Sequence, residues 1–259
     1  MLRKRIIFTL IHSDGYFMQS RNFRLQKVGN LLWLEKNYKF QHISFSLDEL
    51  IILDATRNQK NLSQFASIVS GVVNDVFIPV AAGGGIRSLA DADLLFKSGA
   101  DKIVLNSLQY ENPLIVRELV EKYGSQSIIA SVDYKSTAEG HLVYVNDGSK
   151  KIEYSLKEYL TYLEDLGVGE IYLNSIDKDG TGFGYDLETI LNVKDLLSIP
   201  LIIAGGAGNE KHLLEGLKTD GIAAVATANL FNFIGDGLPN ARNHIISLGE
   251  NIANWNANS

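Results

Sequence analysis

The sequence predicts an α/β protein, a parallel eight-stranded (β/α)₈ TIM barrel built from two half-barrels. Three observations carry that expectation: short apolar runs alternate with amphipathic stretches of helical length, the halves of the chain repeat one another, and the repeat places a glycine cluster after two equivalent runs. Strands covered by helices on both faces read as continuous apolar stretches, so such runs alternating with helices imply a parallel sheet.

The first run, 5–11, follows Arg3-Lys4-Arg5 and stops at His12-Ser13-Asp14-Gly15. It lacks the small-residue cleavage site of a leader, so a buried first strand is expected in place of a signal peptide. Helical patterning over 31–38 leads to a second run at 49–55, and patterning over 62–73 leads to a third at 76–82. A helix over 89–96 follows, with Ser88 and Asp91 spaced as a capping box, then a run at 102–106 and a helix over 113–123 that starts on a tolerated proline. The fifth run, 127–133, is followed by an insertion at about 134–155 whose Asp147-Gly148 and alternating Leu142 and Tyr144 read as a hairpin over the catalytic face. Helical patterns at 156–166, 187–197 and 211–217 separate the last runs at 170–175, 201–204 and 222–228.

Pro79 and Pro200, Gly84 and Gly205, and Glu49 and Glu170 each lie 121 residues apart. A repeat of half the chain is what two fused half-barrels leave behind, and it disfavours an open doubly wound sheet. The 259 residues, 46% of them apolar, suit one barrel domain spanning 1–259.

A net charge of -6 argues against non-specific binding to nucleic acid or to an anionic membrane. With no cysteine and only scattered histidines, no metal site and no cofactor are expected, and a soluble cytoplasmic protein is. Gly84-Gly85 and Gly205-Gly206 follow the third and seventh runs, where positive φ and close amide approach suit a phosphate. Other run ends supply Asn106, Ser107, Asp179, Gly180, Thr181, Ala228 and Asn229 as candidate phosphate or substrate contacts. Plain strand-to-helix turns are the alternative use of such glycines. A ligand with a phosphate at each end would suit the symmetry.

These residues, with Asp48-Glu49-Leu50, Gly99-Ala100-Asp101-Lys102, Ser175-Ile176-Asp177 and Gly184-Tyr185-Asp186, closely resemble the cyclase subunit of imidazole glycerol phosphate synthase over almost the whole chain. The resemblance implies a barrel that uses ammonia from a glutaminase partner to cleave and cyclise an aminoimidazole carboxamide ribonucleotide. It implies two catalytic aspartates, ending strands one and five. The second is Asp133, but the first position is Ile11, and Gln19 stands where the family has an active-site lysine. Isoleucine cannot move a proton, and losing a positioned acid-base group costs about 10²–10⁴-fold in rate. His12 is adjacent, yet alternation along the strand turns it away from the barrel axis.

Arg5, Glu49, Lys102 and Glu170 start strands one, two, four and six, and the resemblance implies that they form a charged gate for ammonia at the N-terminal face, where the glutaminase docks. The expected function is therefore an ammonia-receiving, phosphate-ligand-binding subunit serving nitrogen transfer in surface-sugar biosynthesis, such as acetamidino modification, with a further synthetase partner. A genuine cyclase subunit of histidine biosynthesis and a non-catalytic phosphate-ligand-binding subunit remain the alternatives.

Overall fold

The computed structural model describes residues 3–38, 43 and 45–254, so Met1 and Leu2 of the weighed leader lie outside the described residues. From the N-terminus, β1 (Arg5–Ser13) leads into a hairpin of β2 (Tyr16–Arg21) and β3 (Arg24–Gly29), then α1 (Leu31–Tyr38) and β4 (Glu49–Asp54). Next come α2 (Leu62–Asp75), β5 (Val80–Gly83), α3 (Leu89–Lys97), β6 (Lys102–Leu105), the short α4 (Ser107–Glu111) and α5 (Pro113–Tyr123). β7 (Ile128–Thr137) continues through β8 (Gly140–Val145) and β9 (Lys150–Ser155) into α6 (Leu156–Leu166) and β10 (Glu170–Ser175). The chain ends with α7 (Leu187–Val193), β11 (Leu201–Ala204), α8 (Glu210–Lys218), β12 (Ala224–Thr227) and α9 (Gly237–Ser247).

Strands β1, β4, β5, β6, β7, β10, β11 and β12 pair in parallel in that order, and β12 returns to β1, which closes an eight-stranded (β/α)₈ barrel without a free edge. Alternation along each strand divides the core in two. Ile6, Phe8 and Leu10 face the helices in the outer core, while Ile7 joins Ile51, Val104, Ile129 and Tyr172 in the lumen. At the N-terminal end, the buried Arg242 of α9 donates to both oxygens of Asp48, whose Oδ2 also accepts from the Ile6 amide at 2.7 Å. That contact ties the last helix to the first two barrel strands.

The half-barrel repeat is visible in the backbone. The Leu50 amide donates to the Pro79 carbonyl and the Ile171 amide to the Pro200 carbonyl, each at 3.0 Å. The third run pairs later than expected, because Pro79 has no N–H to donate and Phe77 before it is 83% exposed. The β2–β3 hairpin escapes the sequence because its turn, Asn22-Phe23, reaches positive φ at +49° and +61° without the glycine that marks such turns. Among the described residues, no helix is long and apolar enough to cross a membrane.

Candidate functional site

The C-terminal strand ends open into a cavity of about 1060 Å³, and Asp133, where β7 passes from the parallel barrel into its hairpin with β8, lies in its wall. Its Oδ2 accepts from Asn106 and its Oδ1 from Asn174, both at 3.0 Å, and Asn174 stands in register with it on β10. Burial pushes the Asp133 carboxyl up to about 7, with the charges of Asp147 and Asp179 adding to the rise, while the two carboxamide donors pull it down. A carboxyl poised near neutrality and held by two donors can accept or release a proton.

Four strand pairings away in either direction lies β1. There Ile11 and its register partner Leu53 on β4 line the cavity, with Thr9 deeper, where its hydroxyl meets the Tyr172 hydroxyl at 3.1 Å. None of these is a carboxylate facing Asp133. His12 is buried in the outer layer, its ring near those of Phe17 and Phe65, with Nδ1 at 3.4 Å from Asp54 and Nε2 accepting from the Gly15 amide. Burial raises the Asp54 carboxyl, but donors on His12 and Thr56 and the nearby Lys60 charge outweigh it, and the group lies below its ordinary value.

Of the expected contacts, Gly84, Gly85, Asn106, Ser107, Asp179, Gly180, Gly205, Gly206, Ala228 and Asn229 all border this cavity. Thr181 does not: its hydroxyl donates to the Lys178 carbonyl at 2.7 Å, so it closes a turn. Asp179 serves the hairpin as well as the wall, its Oδ2 accepting from the Ser20 hydroxyl at 2.5 Å and the Phe23 amide at 2.9 Å. Burial nonetheless holds the Asp179 carboxyl above its ordinary value. Gln19 is tied down through Oε1, which accepts from the Leu230 amide at 2.8 Å.

The glycines are required by packing before any ligand is considered. A Cβ on Gly84, at φ +103°, would lie 2.2 Å from the Asp54 carbonyl oxygen, and one on Gly205, at φ +88°, would lie 2.6 Å from that of Ser175. Over the mouth, the two hairpins meet: a Cβ on Gly148, in the β8–β9 turn, would strike the Phe23 ring at 2.6 Å. Sequence reasoning missed the cations of this wall, Arg24, Arg57, Lys60, Arg87 and Lys135, because they are scattered over two strands and separate loops.

At the opposite end of the barrel, Arg5 bridges Glu49 at 2.7 Å and Glu170 at 2.5 Å, and Lys102 bridges the same two carboxylates at 3.1 and 2.6 Å. The charges alternate around a closed, partly buried square. Burial raises Glu170, but Arg5 and Lys102 pull harder and hold it below its ordinary value; Glu49 is buried more deeply, and its burial works against the same two cations.

The profile of the family described as Histidine biosynthesis protein matches residues 17–235. The chain is 42% identical to the "Putative imidazole glycerol phosphate synthase subunit hisF2" of Parasynechococcus marenigrum (strain WH8102), over 98% of this chain and 95% of that one. It is 34% identical to imidazole glycerol phosphate synthase subunit HisF of Pelodictyon phaeoclathratiforme, over 96% and 98%, and 39% identical to that of Pyrobaculum aerophilum, over 85% of each. With a closed barrel and similarity along nearly its whole length, the chain belongs to the histidine biosynthesis family, as a HisF-like subunit of the imidazole glycerol phosphate synthase kind.

Proposed function

We propose that this HisF-like barrel receives ammonia from a glutaminase subunit docked at its N-terminal face, binds a phosphorylated ligand at its mouth, and serves nitrogen transfer to a surface sugar in place of imidazole cyclisation. The observation that carries this reading is the wall opposite Asp133, where Ile11, Leu53 and Thr9 offer no acid-base partner. Cyclisation in this family's manner needs proton transfer on both sides of the substrate; Asp133 can serve one side, while the wall acids Asp54 and Asp179 are engaged by Thr56 and His12 and by Ser20 and Phe23. The other components of an ammonia-handling barrel have support. The square of Arg5, Glu49, Lys102 and Glu170 closes the base of the barrel, and Ala81, Ala224 and Ala226 are small members of the lumen core above it. A further synthetase would take the ammonia at the mouth.

The test is a steady-state assay with the aminoimidazole carboxamide ribonucleotide and ammonium salt. Wild type is expected to turn over at least about 10²-fold below an ordinary cyclase, and Ile11→Asp to recover part of that loss. Turnover by wild type at ordinary enzyme rates would instead make this a genuine cyclase subunit. Co-purification with a glutaminase tests the partner, and Lys102→Ala is expected to uncouple glutamine hydrolysis from ammonia use.

A further inference from the structure

From Gly15 to Leu34 the chain carries Arg21, Arg24 and Lys27 and no acid, within a protein of net charge -6. Arg21 and Arg24 flank the turn of the β2–β3 hairpin and stand directly opposite one another, and Gln19 stands opposite Gln26 in the same register. Cross-strand partners project to one face and alternate residues share it, so these four side chains emerge together. That face lines a second cavity of about 950 Å³, enclosed between the hairpin, Lys135 of β7 and Phe231 in the loop before α9. The cavity joins the mouth through shared wall residues such as Ser20, Asn22 and Asn229, but borders neither of the two glycine turns.

Three cations and no carboxylate line this annex among the described residues. Like charges directly opposite one another oppose strand pairing, and neither Arg21 nor Arg24 has an ion pair with an acid among the described residues. Lys135 lies 4.9 Å over the Tyr144 ring, a contact that leaves its charge in place. The acids of the neighbouring β10–α7 loop are engaged elsewhere: Asp177 accepts from the Ser136 amide at 2.9 Å, and Asp179 from the Ser20 hydroxyl and the Phe23 amide. The turn is also held against splaying apart, because the Asn22 amide donates to the Asp179 carbonyl at 2.9 Å and Gly180 packs against the Arg21 backbone. A bound anion removes the repulsion, and two guanidinium forks held side by side suit the oxygens of a phosphoryl group. Phe231, 49% exposed on the same wall, offers an open ring on which a nucleobase can stack.

We infer that this annex binds a nucleotide, its phosphate between Arg21 and Arg24 and its base against Phe231, as part of a ligand that reaches on into the mouth. This rests on the proposed reading of the mouth as a phosphorylated-ligand site, and names the class of that ligand.

Calorimetric titration of the full chain with UMP and with inorganic phosphate tests it. UMP is expected to bind more tightly than phosphate. Arg21→Gln and Arg24→Gln are each expected to weaken UMP by about tenfold or more, as loss of a charge-assisted contact does. Phe231→Ala is expected to weaken UMP and to leave phosphate within about twofold. Arg24→Glu separates binding from structure: it turns a repelling pair into an attracting one, so UMP binding is expected to be lost while hydrogen exchange over residues 16–29 slows. Loss of binding with faster exchange would make the arginine pair structural and overturn the site. Equal binding of UMP and phosphate, with Phe231→Ala silent, would overturn the nucleotide. UMP binding unchanged in Arg21→Gln and Arg24→Gln would overturn the annex and keep the mouth as a phosphate site, whereas failure of both probes to bind would overturn both readings.

Discussion

Asp133 is held by two carboxamide N–H groups that favour its charge, and by burial that opposes it, and burial wins. The consequence for stability has a definite sign. A carboxyl raised on folding binds its proton more tightly in the native state than in the unfolded one, so stability falls as pH rises from the unfolded value near 4 to about 7. Asp133→Asn matches the protonated form in size and in lack of charge, at the cost of one acceptor, and removes the titration. Urea unfolding at pH 5 and pH 7.5 is expected to show the variant gaining on wild type at the higher pH; a difference independent of pH would mean that Asp133 titrates as an ordinary carboxylate. At the same scale, that Ile11 faces the cavity was legible in the sequence, because side chains alternate along a strand. Where the first-loop Gln19 would point was not legible, since its partner, the Leu230 amide, is 211 residues away.

The strands and most helices of the barrel announce themselves because each carries its own apolar period, and residues such as Leu156, Leu160 and Leu163 mark the buried face of α6 with no knowledge of its neighbours. The β2–β3 hairpin carries no such mark. β3 has no fully buried residue, its turn lacks glycine, and what orders it lies outside it: Asp179 grips Ser20 and Phe23, and Gly180 packs against the Ser20 carbonyl. A non-glycine residue at positive φ, as Phe23 is, costs about 1–3 kcal/mol unless its surroundings hold it there. Asp179→Asn keeps the size of the side chain but turns an anionic acceptor of two bonds into a weaker one, and leaving a buried donor poorly matched costs about 1–3 kcal/mol. Faster hydrogen exchange is expected over residues 16–29, with the barrel strands unchanged. Exchange rising equally throughout would mean that Asp179 supports the barrel itself and not the hairpin alone.

The whole barrel depends on its two ends being built differently. At the mouth Arg87 meets Glu111 in an exposed pair while Arg57 and Lys60 donate to main-chain carbonyls, whereas at the base Arg5, Glu49, Lys102 and Glu170 satisfy one another. These four residues come from β1, β4, β6 and β10, so the square can form only when the sheet has closed, and it reports closure of the barrel. Glu49 is 2% exposed and relies on two cations, so Lys102→Met leaves it with Arg5 alone, and breaking such a buried pair costs about 3–5 kcal/mol. Adding Glu49→Gln removes the stranded charge, so the double variant is expected to be more stable than the sum of the two single losses by about 1–3 kcal/mol. Urea unfolding of the four proteins measures this coupling. Additive losses would mean that solvent screens the square, and a screened square would be a poor barrier to place across an ammonia path.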